Sequence, residues 1–426
     1  MYHVVLGHSQ NLLGVTPVVN MGQAFSMFNT WWAIYIAIGL YSVDVFFFIS
    51  AFLAAYLMIS KFQGKRFFNV GMVYLHRIIR IVPSLLIFTA LMMTFFELMG
   101  SGPIWSPVVN FIVLEPWRKN WWTNIIFISS WYSETECLGQ LWYLANEMTY
   151  FLFVPFIVLV YINKRRAGII LVVFLNIASM ILTYVFSTIR GHSITLLKDP
   201  ASKWRREFYF FPYTRAGSYF IGVLFGIFYY EWMKSKKNPA FKNTIGAKLY
   251  DLVENSTAIA VGCFIIGSVI MICLILAPRL ELYDMSERHI SQFPSDIFNS
   301  LHRSLFVFAL ALFLAGPFVG KLGLIRGAFG GKLWGPWAKL TFTVYLIHIN
   351  VISFFFYQTK GSNYITGPFI IFVGLACFFV SYLIAIPISL IIESPVLQLE
   401  RLLLFPPQKK SVIQNEESCE LILSKI

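Results

Sequence analysis

Residues 31–59 read WWAIYIAIGLYSVDVFFFISAFLAAYLMI, and this stretch decides what kind of fold the chain can have. It carries a single charged side chain, Asp44. A helix crossing the hydrocarbon core of a bilayer needs about 20 predominantly apolar residues, whereas a helix on the surface of a soluble domain needs a polar face. The stretch meets the first requirement and lacks the second, so it predicts a membrane-spanning helix.

Working outward, similar apolar runs bounded by charges or turn residues occupy 78–98, 141–162, 167–186, 216–232, 257–277, 303–320, 339–357 and 367–392, which makes nine complete spans. A tenth apolar stretch, Tyr2 to Gly7, is too short to cross and reads as the end of a first helix whose beginning is missing. The expected fold is all-α, a polytopic transmembrane bundle of about ten spans with the first truncated. Residues 1–405 form one membrane domain, and residues 406–426 form a polar cytoplasmic tail.

Composition excludes the other classes. Of 426 residues 58% are hydrophobic, 18% aromatic and only 12% charged, with mean hydropathy +0.70. Too few polar residues remain to cover a soluble globule. The net charge of +13 needs no nucleic-acid partner, because lysine and arginine gather in alternate loops, at 61–66, 164–166, 234–248, 321–339 and 409–410. Such loops stay cytoplasmic. The opposite loops face the lumen or the outside of an endomembrane or plasma membrane. No internal repeat supports an inverted-repeat transporter. The five cysteines show neither CxxC nor metal spacing, so neither a disulfide framework nor a metal is predicted. There is no GxSxG, HExxH or Walker loop.

Ionisable side chains inside spans cost about 2.5 to 3.5 kcal/mol on insertion scales, so each needs a partner or a task. Here they are Asp44, Arg77, Arg80, Glu147 and His348, with His8 ending the first segment and Glu393 closing the last span. Helical spacing puts Tyr143, Glu147 and Tyr150 on one face, Thr341, Tyr345 and His348 on another, and Arg77, Arg80 and Ser84 on a third. Polar stripes on apolar helices point to an internal cavity. Bland alternatives stand beside this: Glu147 and His348 as interhelical hydrogen-bonding groups, Arg77 and Arg80 as snorkelling side chains at a membrane face. Taken together the residue types suit acyl transfer, with an imidazole as general base, a carboxylate to orient it and guanidinium groups for phosphates.

The motifs VVLGHS, SVDVFFFISAFLAAYL, RIIRIVPS, GQLWYLANEMTYFLFVPF, LTFTVYLIHI and ESPVLQLE occur in that order between Val4 and Glu400. In content and order they resemble the acyltransferase type 3 family of integral membrane proteins. CLGQLWYLANEMTYF and YFFPYTRAGSYFIGVLFG are especially similar to its eukaryotic "nose resistant to fluoxetine" branch. The resemblance implies that His8 is the catalytic histidine, that Asp44, Trp142, Glu147 and His348 match further motif positions, and that Arg77 and Arg80 handle acyl-CoA. It implies a membrane O-acyltransferase, with acyl-CoA as donor substrate, membrane lipids as surroundings and a lipid, sterol or glycan hydroxyl as acceptor. In that reading Asp44 fixes the tautomer of His8, and Glu147 and His348 complete the cavity wall. The alternative is a lipid or small-molecule transporter or binding protein that keeps the fold without the chemistry. By the resemblance, the family's arginine about three turns before the first histidine, and the branch's N-terminal domain, are both expected to precede Met1. Cys137, just before the WYL motif, is expected to be a free thiol within this chain.

Overall fold

The computed structural model describes residues 1–13, 16–27, 32–64, 69–132, 139–194, 205–282 and 290–404. Among the described residues there is no strand, only an isolated bridge between Val18 and Asn363. The fold is an all-α polytopic bundle. Its principal helices are α1 (Tyr2–Leu13), α2 (Trp32–Phe62), α3 (Val70–Phe95), α4 (Trp142–Phe151), α5 (Val154–Asn163), α6 (Arg165–Arg190), α7 (Ala216–Ser235), α8 (Ile245–Asn255), α9 (Thr257–Leu276), α10 (Gln292–Phe318), α11 (Trp334–Tyr357), α12 (Gly367–Ile388) and α13 (Ser394–Leu404). Cys137 and the tail at 406–426 lie outside the described residues, while Cys263, Cys273 and Cys377 are free thiols.

Eight stretches among the described residues are long and apolar enough to cross a membrane: α2, α3, α4 with α5, α6, α9, α10, α11, and α12 with its continuation into α13. The expected ninth, at 216–232, exists as α7 but does not reach the same apolarity. Its position explains why. Helix α7 is the centre of the bundle, packed by α2, α6, α8 and α10, and it buries the polar residues Ser218, Tyr219 and Glu231. Surrounded by protein, it need not satisfy lipid. At the other extreme, only 11% of the most apolar window of α9 is buried, against 61% for α4 and α5. The apolar side chains of Ile265, Ile266, Val269 and Ile272 point outward. An apolar exterior around a more polar interior is the arrangement hydrocarbon selects.

Two helices begin two turns or more before the apolar runs suggested. Helix α3 starts at Val70 rather than 78, because the Asn69 side chain accepts a hydrogen bond from the Met72 amide at 3.0 Å and caps the first turn. Arg77 and Arg80 therefore stand inside the helix, not at its opening. Helix α10 starts at Gln292 rather than 303, which carries Arg303 into the interior.

Small residues set the closest approaches. Helices α2 and α7 run parallel, with Asp44 beside Ser218, Phe48 beside Gly222 and Phe52 beside Gly226. A Cβ on Gly222 would sit 2.5 Å from the Phe48 carbonyl oxygen, and one on Gly226 2.6 Å from that of Phe52. This small-xxx-small pairing lets backbones touch where lipid supplies no hydrophobic drive. Helix α1 is seated the same way. Gly39 passes the His3 carbonyl with only 2.9 Å to spare for a Cβ, and Gly374 of α12 makes room for Leu6. These contacts hold His8 between α2, α11 and α12.

Candidate active site

A cavity of 860 Å³ lies between α1, α2, α3, α4 and α11. It begins beside Lys61 and Asn69, at the facing ends of α2 and α3, and reaches His8 on α1. Each helix contributes one face: Val43, Phe46, Ser50, Ala54, Leu57 and Lys61 recur every three or four residues along α2. On α3 the same spacing presents Asn69, Met72, Val73, His76, Arg77 and Arg80. Most of the α2 wall is apolar, and the cationic groups stand on α3 and at the end of α2.

The polar stripes meet here only in part. Tyr143 and Glu147 line the cavity, but Tyr150 turns away and donates its hydroxyl to the Pro212 carbonyl at 2.6 Å. Thr341 and Tyr345 line it, while His348 is buried behind them. Arg77 and Arg80 line it, and Ser84 is buried with no hydrogen-bond partner among the described residues.

The two arginines differ. Arg77 forms an ion pair with Glu147, which also accepts from the Ser50 hydroxyl at 2.5 Å. The Arg77 guanidinium lies 4.0 Å from the centroid of the Phe151 ring, and its Nε reaches Met148 Sδ at 3.2 Å. Glu147 is thus neutralised across α2, α3 and α4, as a buried carboxylate requires. Arg80 is exposed on the cavity wall, and no carboxylate pairs with it among the described residues. His76, one turn before Arg80, pairs with Glu400 and ties α13 to α3. Glu393 also borders the cavity, accepting from Thr343 at 2.6 Å and Ser389 at 3.2 Å.

The two histidines come together from opposite ends of the sequence. The ring centroids of His8 and His348 are 5.2 Å apart. His348 Nδ1 lies 2.7 Å from the Tyr345 carbonyl oxygen and 3.2 Å from that of Val344. Both neighbours are acceptors, so Nδ1 carries a proton, and in the neutral imidazole this leaves the lone pair on Nε2. That Nε2 is buried with no hydrogen-bond partner among the described residues.

Asp44 has other partners than the expected histidine. Its Oδ2 accepts from Arg215 Nη1 at 2.9 Å and its Oδ1 from the Ser218 hydroxyl at 2.8 Å, with carboxylate and guanidinium both buried. It is not among the residues lining the cavity. Its contacts join α2 to α7, which corrects the expectation that this carboxylate holds the His8 imidazole.

Sequence reasoning missed Arg215, Ser218 and Arg303. Arg215 reads as a loop residue just before a span, and only the need of Asp44 for a cation signalled it. Trp142, matched by resemblance, is a wall shared by two regions: it lines the cavity, and Arg215 lies 4.8 Å from its ring centroid.

With this geometry in place, comparison with known proteins gives the family. A profile described as an acyltransferase domain matches residues 2–386, so the chain belongs to the acyltransferase type 3 family. It is 23% identical over 412 residues to Nose resistant to fluoxetine protein 6 of Caenorhabditis elegans, covering 90% of this chain and 47% of that protein. It is 25% identical over 205 residues to Regulator of hypoxia-inducible factor 1 of Caenorhabditis elegans, covering 43% of this chain and 39% of that protein. The chain thus spans about half the length or less of these curated relatives. No solved structure matches it. Family and helices together make it a multi-pass membrane protein with an acyltransferase domain.

Proposed function

We propose that the chain moves an acyl group from acyl-CoA to a hydroxyl of a lipid, sterol or glycan acceptor. One observation carries this reading: a single cavity reaches both His8 and the cationic groups Lys61, Arg77 and Arg80. The positive-inside pattern puts the Lys61 end toward the cytosol, where acyl-CoA is found. Arg80 is the cation on the wall that no carboxylate engages among the described residues, and Lys61 adds positive charge at the mouth, since Arg77 is engaged by Glu147. The apolar face of α2 suits an acyl chain.

In this mechanism the acceptor O–H gives its proton to unprotonated His8 as the oxygen attacks the thioester carbonyl. The C–S bond then breaks, and the CoA thiolate recovers the proton from the imidazolium. Ester and free CoA leave. His348, holding its own proton on the backbone carbonyls of α11, offers Nε2 as acceptor for the far N–H of His8. It takes the orienting role first assigned to Asp44. Turnover of acyl-CoA by purified protein, wild type against His8→Ala, tests the reading.

The apolar cavity wall also favours a second reading, binding or transport of a lipid or small molecule without chemistry. In that case labelled ligand would bind His8→Ala and wild type alike, and neither would release CoA.

A further inference from the structure

Beside Trp142, and outside the residues that line the cavity, lies a second polar cluster, built from α2, α7, α10 and the Arg205–Tyr209 turn. Two guanidinium groups meet there: those of Arg215 and Arg303 lie over the same ring, that of Tyr209, at 4.0 and 5.5 Å. Both arginines are at least nine-tenths buried. One carboxylate, Asp44, faces them, and its oxygens are used by Arg215 and Ser218. Arg303 Nε donates to His302 Nε2 at 3.3 Å. Because Nε2 accepts that bond, and Nδ1 donates to the Phe298 carbonyl at 2.8 Å, His302 is the neutral imidazole.

Among the described residues no carboxylate forms an ion pair or hydrogen bond with Arg303, although Asp44 is near enough to act on its charge. Asp296, two turns earlier on α10, is held by Ser187, Thr188 and Gln292, and Glu207 pairs with Arg190. Among the described residues the cluster therefore holds two cations against one anion. Arg215 Nη2 and Arg303 Nη1 are both buried without a hydrogen-bond partner among the described residues. A buried uncompensated charge with open N–H groups is strongly unfavourable unless something anionic completes it.

We propose that Arg215 and Arg303 form a binding site for an oxyanion, a phosphate or carboxylate group, with Trp142 standing between it and the cavity. Paired guanidinium forks match the spread oxygens of such a group, and the Phe208 and Tyr209 rings shield it. Resting on the acyl-transfer reading, the anion is the charged group of the acceptor. Its hydroxyl then approaches the cavity past Trp142, from the side opposite acyl-CoA. Anion binding itself does not depend on that reading.

The test is thermal unfolding of the full chain in nanodiscs, without acyl donor. Phosphatidylcholine discs are compared with the same discs plus inorganic phosphate, and with discs containing phosphatidic acid. The expected result is a rise in Tm of several degrees with at least one of the two. A rise with phosphatidic acid alone assigns the site to a lipid headgroup, and a rise with inorganic phosphate assigns it to a soluble anion. Arg303→Gln should abolish the rise, whereas Arg80→Gln and His8→Ala should keep it. If Arg303→Gln does not fold, Arg303→Lys should retain charge with a smaller rise. No rise with either probe means that water fills the site, and overturns the proposal. A rise that survives Arg303→Gln undiminished, or that Arg80→Gln abolishes, puts the anion elsewhere and does the same.

Discussion

The carboxylate of Asp44 and the guanidinium of Arg215 meet at 2.9 Å across two parallel helices, 171 residues apart in sequence and both shut off from solvent. Removing one member of such a pair leaves a buried charge, at a cost of about 3–5 kcal/mol. Asp44→Asn should therefore lower Tm markedly, and adding Arg215→Met should restore much of the loss. Thermal unfolding of the two variants decides this. A full-stability Asp44→Asn protein that has lost acyl transfer would return Asp44 to the chemistry at His8.

The two arginines of α3 should separate in kinetics. Arg80→Ala removes a cation of the cavity wall that no described carboxylate pairs, and should raise the apparent KM for acyl-CoA about tenfold or more, matching the loss of a charged hydrogen bond of about 1.5–3 kcal/mol. Arg77→Ala strands Glu147 and should lower Tm, with Glu147→Gln in the same background recovering part of it. An unchanged KM in Arg80→Ala would make that side chain a snorkelling group only.

Helix contact makes a packing prediction. Gly222→Ala forces a Cβ to within 2.5 Å of the Phe48 carbonyl oxygen and should destabilise the bundle by at least about 1–3 kcal/mol. Gly262→Ala, on α9 with nothing within 4 Å of the new Cβ, should be neutral or slightly stabilising. Equal Tm values for the two variants would contradict the α2–α7 contact.

Sidedness can be read by glycosylation. An acceptor sequon placed within residues 283–294 should be modified in microsomes, and one placed within 236–248 should not. The natural sequon Asn255-Ser256-Thr257 should stay bare: Asn255 ends α8, and Ser256 caps α9 through the Ile259 amide at 3.3 Å. The opposite pattern would put Lys61 and Arg80 outside, away from cytosolic acyl-CoA.

How much of this was legible in the sequence differs from residue to residue. Apolar length alone gives α2, α6 and α9, because lipid acts on every residue of an exposed span. It describes α7 less well, since Ser218 and Glu231 answer to neighbouring helices rather than to lipid. Helix starts slipped wherever charge was taken for a boundary. His76, Arg77 and Arg80 sit inside α3 because Glu400, Glu147 and an open cavity receive them. Spacing put Tyr143 and Glu147 on one wall. It could not show that Tyr150 swings toward Pro212, nor that Asp44 faces α7 instead of His8. Those facts depend on which helices are neighbours, and a single sequence does not contain that information.

If His8 acts as base in a cavity shared with acyl-CoA, CoA release by purified protein in nanodiscs depends on its imidazole. With Tm unchanged, His8→Ala should lower the turnover number by about 10²- to 10⁴-fold, the usual contribution of general base catalysis. Turnover within a few-fold of wild type would contradict it.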